Sequence, residues 1–292
     1  MKIAMYWGAS CGGCDVSLLS LHEKILDLLK EVEIVFWPCA MDFKYEDVEK
    51  MEDGSIDICF YNGAIRTEEN EKIAKLLRKK SKKMIAYGSC AIEGCVIGLA
   101  NLYKREEILK EVYSKDVPSE ELPEFLPYLK TLEDVVKVDA SIPGCPPPSS
   151  ILEDALNSLL QGKSFGKNVA LCDECPRKDS KPDKIEINRI YRWHEKKDSG
   201  ECFLAQGIIC MGPATRAGCK AECITANMPC TGCVGALPKV KESGISMISA
   251  IASIIGNKNE EEVINSIKDY VGTFYKYSTA KLLPEGRLKD ES

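Results

Sequence analysis

The chain has 292 residues, 45% of them apolar, and a formal net charge of −6. Such a chain buries a proper core in one large or two smaller domains, and nothing in it requires disorder. The acidic balance argues against a nucleic-acid partner, and no apolar stretch reaches the roughly 20 residues of a bilayer span, Ile245 to Ile255 being the longest candidate.

The first 160 residues alternate short apolar runs with helical patterns. Ile3 to Trp7 reads as a strand with no secretory segment ahead of it, so a cytoplasmic location is expected. A helix over Val16 to Lys30, with His22 inside it, leads to a second strand at Glu33 to Trp37. Ile56 to Tyr61 gives a third strand, Glu69 to Lys80 a helix, and Met84 to Tyr87 a fourth strand ending at the Gly88-Ser89-Cys90 turn. The basic run Arg78, Lys79, Lys80, Lys82, Lys83 reads as a solvated helix end. A last strand at Val135 to Val138 runs through Pro143-Gly144-Cys145-Pro146 into a helix from about Ser150 to Leu160. Strands separated by helices in this way pack as a mostly parallel α/β sheet covered on both faces.

After Gly162 the alternation stops. The expected division is an α/β domain over 1–161, an irregular, helix-poor cysteine-rich domain over 162–241, and C-terminal helices with a polar tail over 242–292. The middle region has too little apolar material for an ordinary core, so bound metal would supply the missing constraint. Helices are expected at Ser246 to Ile255 and Glu260 to Val271, separated by Gly256-Asn257-Lys258, with the tail starting near Ser278.

Twelve of the fifteen cysteines fall into three sets of four. Cys11 and Cys14 follow the first strand, Cys90 the fourth and Cys145 the last. They therefore share the carboxyl edge of the sheet, where ligands of such folds bind. Cys172, Cys175, Cys202, Cys210, Cys219, Cys223, Cys230 and Cys233 crowd the irregular region. Iron-sulfur cubanes need four soft thiolates, and Cys-x-x-Cys pairs with glycines let two sulfurs from one loop reach adjacent irons. A lone pair of that kind also suits zinc or thiol exchange, and a zinc-bound structural scaffold is the rival class. In chain order, Cys172, Cys175, Cys202 and Cys210 hold one cluster and Cys219, Cys223, Cys230 and Cys233 the next; spacing leaves open an exchange of one ligand between the sets. Cys59 reads as a small buried hydrophobe in a strand. Cys39 and Cys95 read as supporting or packing thiols near the first site, or as regulatory or partner-facing ones. Asp15 and Glu93 are acidic groups beside that site, suited to orienting a loop or relaying a proton, with helix capping by Asp15 as the alternative. Neither His22 nor His194 stands out as a base.

The run from Met1 to about Ala236 resembles the small, electron-transferring subunit of nickel-iron hydrogenases. The likeness is carried by Cys11-Gly-Gly-Cys14-Asp15, Gly88-Ser-Cys90-Ala91, Ile142-Pro-Gly-Cys145-Pro-Pro, and the run from Gly200-Glu-Cys202 through Pro229-Cys230-Thr-Gly-Cys233. The resemblance implies a flavodoxin-like first domain holding a proximal cluster on Cys11, Cys14, Cys90 and Cys145. It further implies a distal cluster on Cys172, Cys175, Cys202 and Cys210, and a medial one on Cys219, Cys230 and Cys233. Many periplasmic relatives place a histidine where Cys172 stands and hold a three-iron medial cluster. Here Cys223 offers a fourth medial thiolate, so three 4Fe-4S clusters are implied. Within the family the likeness is to the cytoplasmic gamma subunits of the archaeal methyl-viologen-reducing, deazaflavin-non-reducing type. A deazaflavin-reducing relative, the alternative, is expected to add a ferredoxin-like cysteine array, and no cysteine follows Cys233. The implied partners are a nickel-iron large subunit, an iron-sulfur delta subunit and heterodisulfide reductase.

Overall fold

The computed structural model describes residues 1–113, 122–238, 240, 242–256 and 260–283. They divide into two compact units, Met1–Leu152 with the segment from Tyr277 onward, and Glu153–Lys276.

In the first unit the elements run β1 (Lys2–Trp7), α1 (Gly13–Leu19), α2 (Lys24–Glu31), β2 (Glu33–Phe36), α3 (Tyr45–Glu49), β3 (Ile56–Asn62), β4 (Ile65–Thr67), α4 (Glu68–Lys80), β5 (Ser81–Tyr87), α5 (Ser89–Glu93), α6 (Arg105–Tyr113), β6 (Phe125–Lys130) and β7 (Ala140–Ile142). Five strands form one parallel sheet in the order β2-β1-β3-β5-β7, while β4 and β6 form a small antiparallel pair. Counting only the strands of the main sheet, this is the 2-1-3-4-5 winding of flavodoxin-like folds, with its reversal of direction between β1 and β3. The central strand β3, IDICFYN, is buried along nearly its whole length because both faces are covered.

Helix α4 shows how local chemistry sets its ends. Thr67 caps it by accepting from Asn70 N, and Asn70 Oδ1 accepts from Thr67 N in return, both at 3.2 Å. Glu68, Glu69 and Glu71 crowd its first turn and Arg78, Lys79 and Lys80 its last, matching the helix dipole. Its buried Ile73, Ala74 and Leu77 join the core beneath the sheet, each large side chain contributing about 2 kcal/mol. The basic run is tethered: Arg78 pairs with Asp139, Lys79 and Lys80 with Asp53, and Lys82 with Asp57.

Two expectations change in this unit. The helix expected over Val16 to Lys30 breaks at residues 20–23, where the exposed His22 has φ +52°. The last strand is Ala140–Ile142, not Val135–Val138. Asp134 Oδ2 accepts from Thr131 N and Oγ1 at 2.7 and 2.8 Å, and Val135 and Val136 donate to Leu132 O. This turn occupies the backbone donors of those two residues, leaving Val135, Val136 and Val138 to pack against the core as side chains. Asp139 then starts the strand pairing with Met84.

α7 (Ser149–Leu160) spans the boundary between the units. The second unit is mostly irregular up to α8 (Glu222–Thr225), and continues with α9 (Ser243–Ile254) and α10 (Glu260–Asn265). The expected boundary at 241 separates what the structure joins, because the cysteine-rich segment and the helices share one core. Phe203, Leu204, Ile208 and Met211 pack with Met247, Ile251, Val263 and Ile267. The helical stretch expected over Glu260 to Val271 ends at Asn265, and a π-helical turn follows at Val271–Tyr275. Of the expected separator, Asn257 and Lys258 lie outside the described residues, as does the tail beyond 283. The part of that tail nearer Ser278 is ordered in the first unit: α11 (Thr279–Leu282) is anchored by Asn101 Nδ2 donating to Leu283 O at 3.2 Å, and Ala280 is fully buried. No helix of the described residues is long and apolar enough to cross a membrane.

Candidate metal centres

The loop after β1 turns at Gly12, whose φ of +78° opens α1 and delivers Cys14 into the interior while Cys11 stays exposed. Cys14 O accepts from Tyr87 Oη and from Ser17 Oγ, both at 2.8 Å, which ties the start of α1 to the end of β5. Asp15 is not the cap; Gly12 holds that position. Instead its carboxylate accepts from Trp37 Nε1 at 2.8 Å and from Asn62 Nδ2 at 2.7 Å. Asn62 Oδ1 accepts from Ser10 Oγ at 3.1 Å, and Ser10 Oγ accepts from Gly12 N at 3.3 Å. One carboxylate thus ties the Cys11–Cys14 loop to the ends of β2 and β3, and Asn62, fully buried, is a site residue that sequence reasoning missed. Its signal was a lone amide ending an apolar strand.

The loops after β5 and β7 are knitted together. Gly88 N donates to Ile142 O at 2.8 Å, Ser89 N to Gly144 O at 2.9 Å, and Gly144 N to Ser89 Oγ at 3.3 Å. This places Cys90 and Cys145 on adjoining loops. The Cys14 sulfur lies directly over Gly88, where a Cβ would stand 2.3 Å from it. Burial is the main reason the Cys14 thiol is pushed up to about 12, with Cys145, Asp15, Cys11 and Cys95 adding to it. Such a thiol ionises at neutral pH only when a cation takes the proton's place. Cys95, fully enclosed, has its sulfur 3.3 Å from that of Cys145. Cys59 is buried in β3 as expected, Cys39 is exposed in the turn after β2, and Glu93 ends α5 half-buried. His194 is exposed in a short turn at Trp193–Glu195.

In the second unit Cys172, Cys175, Cys202 and Cys210 line one pocket. Gly212 lies against it, where a Cβ would stand 3.3 Å from the Cys172 sulfur and 3.6 Å from that of Cys210. Backbone N–H groups already point at the sulfurs: Arg177 N donates to Cys175 Sγ and Cys230 N to Cys210 Sγ, both at 3.4 Å. Burial pushes Cys172 up to about 11 against the pull of Lys181, and Cys210 up to about 12. The wall is held by Arg177, whose fork meets Asp198 at 2.8 and 2.7 Å and whose guanidinium lies 4.1 Å over the Phe203 ring.

Cys219 and Cys223 flank the start of α8, where Lys220 and Ala221 both have positive φ and Glu222 N donates to Cys219 O at 3.3 Å. Glu174, inside the Cys172–Cys175 loop, accepts from Gly218 N and Lys220 N at 2.8 Å and so fixes the loop that carries Cys219. Cys230 is buried and its thiol is raised by that burial and by Cys210, while its S–H donates to Thr215 Oγ1 at 3.7 Å. Arg177 and Glu174 also escaped the sequence reading, because their partners are remote in the chain.

Among the described residues no three His, Cys, Asp or Glu side chains converge tightly enough for a single ion. The donors are instead thiols lining a shared pocket and standing beside Cβ-free backbone, with amides pointing at sulfur. These features fit a cluster of several irons.

A parallel sheet bearing cysteines at its carboxyl edge, followed by a cysteine-rich unit, defines a thiol-rich α/β protein. Residues 11–159 match the family model of the NADH ubiquinone oxidoreductase 20 kDa subunit. One relative, a vhu subunit of the F420-non-reducing hydrogenase of Methanocaldococcus jannaschii, is 38% identical, aligning 99% of this chain with 98% of that one. Its counterpart in the F420-non-reducing hydrogenase of Methanothermobacter marburgensis is 35% identical over 100% and 98%. Among solved structures, an NAD+-reducing nickel-iron hydrogenase in the H2-reduced state matches with a TM-score of 0.52 at 27% identity, over 57% of this chain and 94% of that one. The nickel-iron-selenium hydrogenase of Desulfomicrobium baculatum matches with a TM-score of 0.51 at 20% identity over 80% and 94%, a likeness of fold. The chain therefore belongs to the 20 kDa subunit family, together with these F420-non-reducing hydrogenase subunits, which are nickel-iron hydrogenase small subunits.

Proposed function

We propose that the chain is the non-catalytic, electron-transferring subunit of a cytoplasmic nickel-iron hydrogenase, holding three 4Fe-4S clusters. Cys11, Cys14, Cys90 and Cys145 would hold the first, Cys219, Cys223, Cys230 and Cys233 the second, and Cys172, Cys175, Cys202 and Cys210 the third. Bound there, such clusters supply one-electron transfer without bond cleavage. The observation that carries the reading is the single cavity lined by four cysteines drawn from two distant stretches of chain. In this reading electrons from hydrogen split in a large subunit enter at the first quartet, pass the second and leave from the third. They go on to a delta subunit and heterodisulfide reductase or ferredoxin; an acceptor other than F420 is in keeping with the names of the relatives. Trp7, Val16, Leu19 and Val96, all exposed apolar side chains on the segments carrying or adjoining Cys11, Cys14 and Cys95, support docking of the large subunit there.

Iron and sulfide analysis with electron paramagnetic resonance on anaerobically purified complex tests the assignment. About four irons per quartet is expected; about one zinc per quartet would end it. Cys145→Ser is expected to cut hydrogen-dependent dye reduction while leaving the signals of the other two clusters. Unchanged turnover with the first cluster lost overturns the route.

A further inference from the structure

We propose that Cys95 is a fifth thiol of the Cys11, Cys14, Cys90 and Cys145 site, one that binds no iron and donates its S–H to the Cys145 sulfur, raising the reduction potential of that centre. The inference rests on the cluster reading above.

Three observations carry it. The two sulfurs lie 3.3 Å apart, and Cys95 is 1% exposed, so water does not compete for the contact. The residue stands on backbone that favours glycine, with φ +52° and ψ −154°, directly after Gly94 at φ +83°. A side chain kept on such backbone marks a position where the side chain is needed. The loop is also locked from outside: Cys95 N donates to Tyr277 O at 3.1 Å, and Gly94 packs so closely on Ala280 that a Cβ there would overlap it. The sulfur therefore has little freedom to turn away.

The direction of the bond follows from ligation. A cysteine that binds iron has lost its proton, so Cys145 accepts and the thiol of Cys95 donates. A hydrogen bond to a ligating sulfur draws off negative charge and favours the more negative, reduced state. Cys95 acts through Cys145, so it is a positioning residue and not a ligand.

The test uses the purified complex carrying Cys95→Ala, Cys95→Ser or Cys95→Gly, with iron and sulfide content and a potentiometric titration followed by paramagnetic resonance. Iron and sulfide are expected to match the parent in all three. At a fixed ambient potential the reduced-to-oxidised ratio of the first centre is expected to fall about fivefold in Cys95→Ala and Cys95→Gly, the worth of one weak hydrogen bond. Cys95→Ser, which keeps a donor, is expected to recover most of the difference. Cys95→Gly is also expected to melt above Cys95→Ala, since glycine relaxes the backbone. Identical titrations of Cys95→Ala and parent, with iron retained, overturn this inference alone. Loss of iron from the first site in Cys95→Ala makes Cys95 a ligand and also overturns it. A parent with no iron at the first site removes both this inference and the reading beneath it.

Discussion

Replacing Gly88 by alanine places a methyl group 2.3 Å from the Cys14 sulfur, where ordinary contact begins near 3.4 Å. The sulfur must retreat by about 1 Å, several times the roughly 0.2 Å that a metal–ligand bond tolerates. Gly88 also has φ +83° and ψ 158°, a region essentially reserved for glycine, which adds about 1–3 kcal/mol of backbone cost. Two companion variants separate these effects. Gly200 has φ +86° with nothing within 4 Å, so its alanine variant carries the backbone cost alone. Gly212 carries no such φ, and its methyl would meet the Cys172 and Cys210 sulfurs at 3.3 and 3.6 Å, a conflict relieved by a few tenths of an ångström. The expected outcome is loss of about four of some twelve irons in Gly88→Ala, read by iron and sulfide analysis together with loss of the first cluster's resonance. Gly200→Ala is expected to keep full iron, and Gly212→Ala to lose little. Full iron and an unchanged spectrum in Gly88→Ala would refute the placement of the Cys14 sulfur against that loop.

Asp15→Ala strands the donors of Trp37 and buried Asn62, at a cost of about 2–3 kcal/mol, and is expected to lower the melting temperature by roughly 5–10 °C. Asp15→Asn, which keeps an acceptor, is expected to fall between; equal melting of all three proteins contradicts the network. Arg177→Lys gives up the bidentate contact with Asp198, and a loss of about 2 kcal/mol in thermal melts is expected together with lower iron retention at the Cys172 site. Stripping metal with an anaerobic chelator is expected to open the second unit, Glu153–Lys276, to limited proteolysis while the sheet of the first unit survives, as judged by fragment masses; equal resistance of both units with and without metal counts against metal-coupled folding. Cys59→Ala is expected to leave iron content and spectra unchanged, and loss of iron would show that the thiol of β3 is more than packing.

Much of the sheet was legible because its strands are short, apolar and bounded by turns, so β1, β2, β3 and β5 fall within a few residues of their expected limits. The valine run at 135–138 misled because composition reports burial and not hydrogen bonding, and the Thr131 to Asp134 turn had already used the backbone of Val135 and Val136. The cysteine pairs were legible from spacing, and the loops carrying the first quartet follow from parallel-sheet topology. The groups that hold those loops were not. Asn62, Glu174 and Arg177 act across 47, 44 and 21 residues of chain, and nothing in their own neighbourhoods announces it. The joint core of the cysteine-rich segment and α9 was missed for a similar reason. Proline and glycine content marked the segment as irregular without showing that Phe203, Leu204 and Met211 have an apolar helix to rest on.

Under the proposed assignment Cys230 would serve two quartets at once: its own sulfur would join that of Cys233, while its peptide N–H touches the Cys210 sulfur at 3.4 Å. A tunnelling charge would thus find a bridge of one amino acid, a handful of covalent bonds and a single hydrogen contact, with no gap of solvent or loose side chain to cross. The same bridge makes each occupant a neighbour to the other's charge, so filling one with an electron should make filling the next harder. Proline in place of Cys230's successor would spare that amide; only a change to residue 230 itself removes both the sulfur and the bridge.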